Sequence, residues 1–143
     1  MSLGAGRWTM FRGERMAYKM IQVGTGGFGR AWCGWFLPPN VKDGLVEVVA
    51  AVDIDPAALA NAKENLALRD DQRYTDARKA FDENRADFCS IVVPPSAHEK
   101  IVDLALEHDM HILSEKPIAD TSDTFRCIGS LIPRYCTVGS PDV

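Results

Sequence analysis

The 143-residue chain contains no apolar run near the roughly 20 residues needed to cross a bilayer, so no membrane span is expected. It has no basic stripe either. Sixteen lysines and arginines are interspersed with twenty acids for a net charge of -4, which excludes the electrostatic footprint that nucleic acid requires. Paired cysteines are also missing: Cys33, Cys89, Cys127 and Cys136 are scattered and none forms a CxxC motif. A zinc site or redox motif is therefore not expected, and the thiols read as reduced and mostly buried in a cytoplasmic protein. The first residues lack the apolar segment of a secretory signal. With Arg7, Arg12 and Arg15 among several glycines, residues 1–17 read as a flexible leader, and Met16 is an alternative start to Met1.

What is present suits one ordinary domain, since 46% of the residues are apolar. Met20 to Val23 is a short apolar strand that runs into Gly24. Phe28, Trp32, Trp35 and Phe36 recur at helical spacing and predict one apolar helix face, ended by Pro38 and Pro39. Val46 to Val52 reads as a strand covered on both faces. Asp55 and Pro56 then open a helix with Leu59, Ala62 and Leu66 inward. A short strand at 73–75 and a helix at 76–84 follow. Phe88 to Val93 is a clear strand, and Ser96 with Glu99 predicts a capping box for the next helix. His111 to Ser114 is a fifth strand, and Cys136 to Val138 a short further one. The alternation predicts a single-domain α/β fold, a Rossmann-type doubly wound parallel sheet, over residues 18–124. Gly129 and Pro133 interrupt any long helix in an irregular tail over 125–143.

The chemistry concentrates at Gly24-Thr25-Gly26-Gly27-Phe28-Gly29, a G-x-G-x-x-G stretch between a predicted strand and a predicted helix. In that setting Gly24 permits the tight turn, Gly26 admits a pyrophosphate, and Gly29 allows close packing. The N–H groups and helix dipole then hold the phosphates of a dinucleotide. Asp53 follows Gly29 by 24 positions at the end of the second strand. A carboxylate there accepts both adenosine ribose hydroxyls and repels the extra phosphate of NADP, so NAD is the expected cofactor and NADP the less favoured. The alternative for Asp53 is a loop cap beside Asp55.

The three segments GTGGFG, VVPPSAHEKI and SEKPIADT, in that order, resemble the N-terminal domain of the Gfo/Idh/MocA oxidoreductase family over about residues 18–124. The resemblance implies hydride transfer between a nicotinamide dinucleotide and a sugar or polyol. It assigns Lys116 as the catalytic residue, beside the nicotinamide ring and the reacting oxygen, where its charge lowers the pKa of the alcohol. It places Glu115 near the nicotinamide ribose and Pro117 after a peptide bond that is often cis. Pro94, Pro95 and His98 match the loop and helix start under the cofactor, though His98 reads equally well as a surface residue of the first turn.

Members of that family are two to three times as long, and their second domain supplies the substrate pocket. The chain therefore reads as a truncated or altered version of a longer enzyme, with an uncovered apolar sheet face prone to self-association. Two other readings stand beside it. One is a non-catalytic dinucleotide-binding or regulatory module, and the other is an inactive fragment.

Overall fold

The computed structural model describes residues 16–117, 121–123 and 135–137. Six strands form one sheet: β1 (Tyr18–Val23), β2 (Val46–Val52), β3 (Arg73–Tyr74), β4 (Phe88–Ile91), β5 (His111–Ser114) and β6 (Tyr135–Thr137). Every pairing is parallel, and the order is β3-β2-β1-β4-β5-β6. The progression runs outward from β1 to β3 and then restarts beside β1 with β4. The carboxyl ends of β1 and β4 thus flank a topological switch point, where doubly wound sheets open a crevice. This is the Rossmann-type fold that the alternating pattern predicts. The leader before residue 16 and most of the tail after Thr124 lie outside the described residues.

Among the described residues four helical connections cover the sheet. Between β1 and β2 run α1 (Gly29–Ala31), a π-helical stretch (Trp32–Phe36) and α2 (Leu37–Lys42); α3 (Pro56–Leu66) joins β2 to β3. These pack on one face with Met20, Trp32, Cys33, Leu37, Val48 and Ala51 buried between. On the other face α4 (Ala77–Glu83) and α5 (Pro95–Glu107) enclose Ile21, Val52, Phe81, Cys89, Ile91, Val102 and Ile112. A register shift in β2, where Met20 pairs Val48 but Ile21 pairs Ala50, resets the alternation so that both strand ends keep apolar residues on both faces.

The helix starts obey local chemistry. Asp55 accepts the Ala57 amide at 2.9 Å ahead of Pro56, and Asp76 accepts the Arg78 amide at 2.9 Å. The capping box expected at Ser96 and Glu99 does not form. Pro95 has no N–H to lose and takes the first helical position, which places Ser96 inside the first turn rather than before it.

The aromatic helix also departs from the simple pattern. Trp32 is buried at 6% exposure, but Phe28, Trp35 and Phe36 are 56%, 75% and 46% exposed. The π stretch inserts an extra residue per turn, and the Leu37 amide bonds back to the Trp32 carbonyl. The inward face therefore runs Trp32, Cys33, Leu37 instead of Trp32, Trp35, Phe36. Pro38 and Pro39 do not stop the helix. They sit in the first turn of α2, where missing N–H groups are tolerated, and Asn40 Nδ2 donates to the Phe36 carbonyl at 2.7 Å.

Candidate functional site

A cleft of about 570 Å³ opens at the carboxyl ends of the strands. The glycine turn forms one wall, with Gly24, Gly26, Gly27 and Phe28 lining it. Asp53 and Ile54 stand at the end of β2, Val93 and Pro94 follow β4, and Glu115 and Lys116 follow β5. Another hollow, of about 460 Å³, lies beside Lys19, Asp82 and His108, away from these loops.

The turn is built as the glycine spacing requires. Gly24 has φ +90°, and a Cβ there would overlap the Val92 carbonyl oxygen. A Cβ on Gly29 would overlap the Gly24 carbonyl, so this glycine packs against the turn itself. At Gly26 a Cβ would meet only ordinary contacts, the nearest being Ala58 Cβ at 3.5 Å. What it would occupy is cleft. The Gly27 and Phe28 amides have no protein acceptor among the described residues, whereas Gly29 and Arg30 donate to the Gly26 and Gly27 carbonyls at 2.8 and 3.2 Å. Two unpartnered amides at the start of a continuous helical run form a cradle for an anion.

Asp53 does more than the sequence expects. Its Oδ2 accepts the Thr25 amide at 2.8 Å, the Gly26 amide at 3.0 Å and the Thr25 hydroxyl at 3.2 Å. Its Oδ1 accepts the Asp55 amide at 2.9 Å. The loop-cap reading holds at Asp55, and the same carboxylate, beyond what the sequence suggests, ties β2 to the glycine turn. Burial pushes its pKa up, but the Asp55, Thr25 and Gly26 amides and the Thr25 hydroxyl outweigh burial and hold it below the usual carboxylate range. Thr25 itself is 1% exposed.

His98 is neither a surface residue nor part of the cleft lining. It is 1% exposed, and its Nε2 donates to the Val93 carbonyl at 3.1 Å. Its Nδ1 lies 3.2 Å from the Ser114 hydroxyl, which is also 2.9 Å from the Glu115 carbonyl. That hydroxyl has one proton to share between the two. Burial lowers the His98 pKa, and the Val93 contact only partly opposes it. His98 thus ties the loop after β4 to the end of β5 from below. Pro95 begins α5 beside it, and only Pro94 of the two prolines reaches the cleft.

Glu115 and Lys116 lie side by side at the cleft rim, and the Lys116–Pro117 bond is cis. Lys116 is exposed. Two residues escaped the sequence reading. Trp32, expected only as core, donates its Nε1–H to Glu115 Oε1 at 3.0 Å; the signal was available, because a buried indole N–H normally finds an acceptor. Gln22, a polar residue within an apolar strand, is fully buried and donates to the Gly24 carbonyl at 2.9 Å, bracing the turn.

Comparison with known proteins matches this architecture. The sequence model of an oxidoreductase family with an NAD-binding Rossmann fold, Gfo/Idh/MocA, matches residues 18–132. The chain is 56% identical over 108 residues to the uncharacterized protein y4oX of Sinorhizobium fredii, covering 76% of this chain and 30% of that one. It is 36% identical over 106 residues to inositol 2-dehydrogenase/D-chiro-inositol 3-dehydrogenase of Lacticaseibacillus casei, covering 74% of this chain and 30% of the relative. The crystal structure of myo-inositol dehydrogenase from Lactobacillus casei, in complex with NAD(H) and myo-inositol, superimposes with a TM-score of 0.66 at 30% identity. That match covers 80% of this chain and 33% of the other. The chain spans about a third of the length of the curated relatives it matches.

Proposed function

The chain belongs to the Gfo/Idh/MocA oxidoreductase family, and from that premise we propose that residues 18–124 hold NAD in the cleft at the strand ends, as the cofactor half of a hydride-transferring enzyme acting on a sugar or polyol. The observation that carries this reading is the anion cradle at Gly27 and Phe28 set beside a carboxylate, Asp53, at the end of β2. The pyrophosphate rests on the two amides and fills the space a Cβ on Gly26 would take. Asp53 keeps an unused lone pair on Oδ1, which accepts an adenosine ribose hydroxyl. Oδ2 is already filled by Thr25 and Gly26, so Oδ1 is the oxygen offered to the ribose. Ile54, 90% exposed, and Ile101 give the adenine apolar walls. No arginine immediately follows Asp53 in the sequence to receive a second phosphate, which favours NAD over NADP.

NAD supplies the hydride acceptor; the remaining tasks fall to side chains. Glu115 accepts from the ribose on the nicotinamide side. Lys116, at the rim, holds the alcohol oxygen of a substrate and favours its deprotonation. The placement of Lys116 on the same cleft as the glycine turn favours an enzyme over a binding-only module, which needs no cation there. Among the described residues no helix is long and apolar enough to cross a membrane, and we place the protein in the cytoplasm. Self-association through uncovered apolar surface belongs to the same reading.

Titration of the full chain with NAD and NADP, followed by tryptophan fluorescence, tests the binding. A saturable response to NAD at lower concentration than to NADP is expected. No response to either at millimolar concentration overturns the reading.

A further inference from the structure

We propose that Trp32 is a positioning residue for the nicotinamide half of the cofactor, acting through Glu115; the inference rests on the reading above. The two residues are 83 positions apart in sequence, yet the indole Nε1–H donates to Glu115 Oε1 at 3.0 Å. The Glu115 backbone is already fixed. Its amide donates to the Ile91 carbonyl at 2.9 Å, and its own carbonyl accepts from Ser114 at 2.9 Å. Only the side-chain torsions remain to be set, and the indole sets them. Oε2 has no hydrogen-bond partner among the described residues and is left to accept the vicinal hydroxyls of a ribose.

The donor is itself held rigidly. Trp32 begins the π stretch, is 6% exposed, and meets the Phe36 ring edge-on at 5.7 Å and 78°. The wide turn, which looked like an irregularity in the helix, keeps Trp32 directed at the sheet while Phe36 closes over it from the solvent side. An indole suits this task because it donates one hydrogen bond and carries no charge. A lysine or arginine in its place would neutralise the carboxylate and compete with the ribose. The same reasoning gives the π stretch a role, in line with the frequent occurrence of such turns at functional sites.

Calorimetric titration of the full chain with NAD and with ADP tests this, because ADP carries the adenosine and pyrophosphate but neither the nicotinamide nor its ribose. Trp32→Phe keeps an aromatic ring and removes the N–H. It should weaken NAD about tenfold, the loss of one charge-assisted hydrogen bond, and leave ADP within about twofold. In a Glu115→Ala background the same substitution should add nothing. Unchanged NAD affinity in Trp32→Phe overturns the inference, and so does an equal loss for both ligands, which would mark general damage to the domain. A wild-type chain that binds neither ligand overturns the proposed function instead, so the two failures are distinct. Should Trp32→Phe not fold, the indole N–H resonance of Trp32, assigned through Trp8→Phe and Trp35→Phe, must shift in Glu115→Ala. An unmoved resonance then overturns the inference.

Discussion

Asp53 grips Thr25 twice: one carboxylate oxygen, Oδ2, takes both the amide at 2.8 Å and the hydroxyl at 3.2 Å. The same oxygen takes the Gly26 amide, so the residue expected to meet the ribose also assembles the turn proposed to hold the phosphates. Removing it should therefore damage fold and binding together. Asp53→Ala leaves three amides and the Thr25 hydroxyl without their acceptor and should lower stability by about 2 kcal/mol, read by urea unfolding. NAD affinity should fall at least about tenfold, with the smaller loss for NADP.

Acid should act through the same carboxylate. Its folded pKa lies below the unfolded value near 3.8. The stabilisation is thus fully present above that value and is lost as pH falls through it toward the folded pKa. Unfolding midpoints measured between pH 5 and pH 3 should drop more steeply for the wild type than for Asp53→Asn, which has no charge to lose.

His98 should give a second pH dependence at higher pH. Its folded pKa is depressed from 6.5 by burial, so below 6.5 the unfolded chain takes up a proton that the folded chain refuses. Stability contributed by the neutral ring is complete above 6.5 and declines as pH falls from there toward the folded pKa. His98→Gln should flatten that decline between pH 7 and pH 5.5. An equal slope in both proteins would remove His98 as its source.

The glycines of the turn should separate by environment. Gly24→Ala forces a Cβ onto the Val92 carbonyl at φ +90° and should destabilise by about 3 kcal/mol or prevent folding. Gly27→Ala has φ +51° but open space around it, and should cost only about 1 kcal/mol. Thermal melts of the two variants make the comparison, and equal losses would contradict the geometry.

Lys116→Ala, at an exposed position, should leave the melting temperature and NAD affinity nearly unchanged. Formation of NADH from a panel of sugars and polyols should fall at least about a hundredfold. Activity retained in the variant would remove the lysine from the chemistry.

Much of this was legible in the chain. The strand β2, the cap at Asp55 and the glycine turn each follow from local rules, since a buried parallel strand, an N-cap and a turn with positive φ leave few residue choices. What escaped depended on long-range partners. Nothing local tells that Asp53 binds back to Thr25, that His98 is buried against Ser114, or that Trp32 reaches Glu115. The aromatic face was misjudged for a different reason. A period of 3.6 does not hold from Trp32 to Phe36, where the helix widens just before Pro38 and Pro39, and one inserted residue is enough to turn Trp35 outward. At the start of α5 two local signals competed, and Pro95 prevailed over Ser96 because ring geometry constrains the backbone more strongly than a hydroxyl does.

The two described thiols lie on opposite sides of the sheet, Cys33 on the buried side of the π stretch and Cys89 in β4 against α5. Burial pushes both up to about 12, so neither is reactive while its layer stays closed. Each is therefore a clock for one layer. With Cys127 and Cys136 replaced by serine, the alkylation rate at Cys33 would time the opening of the helices over the glycine turn, and that at Cys89 the opening of α5. A bound nucleotide that clamps the turn would slow the first clock more than the second, so a ligand's grip on each half of the molecule becomes a pair of measurable rates.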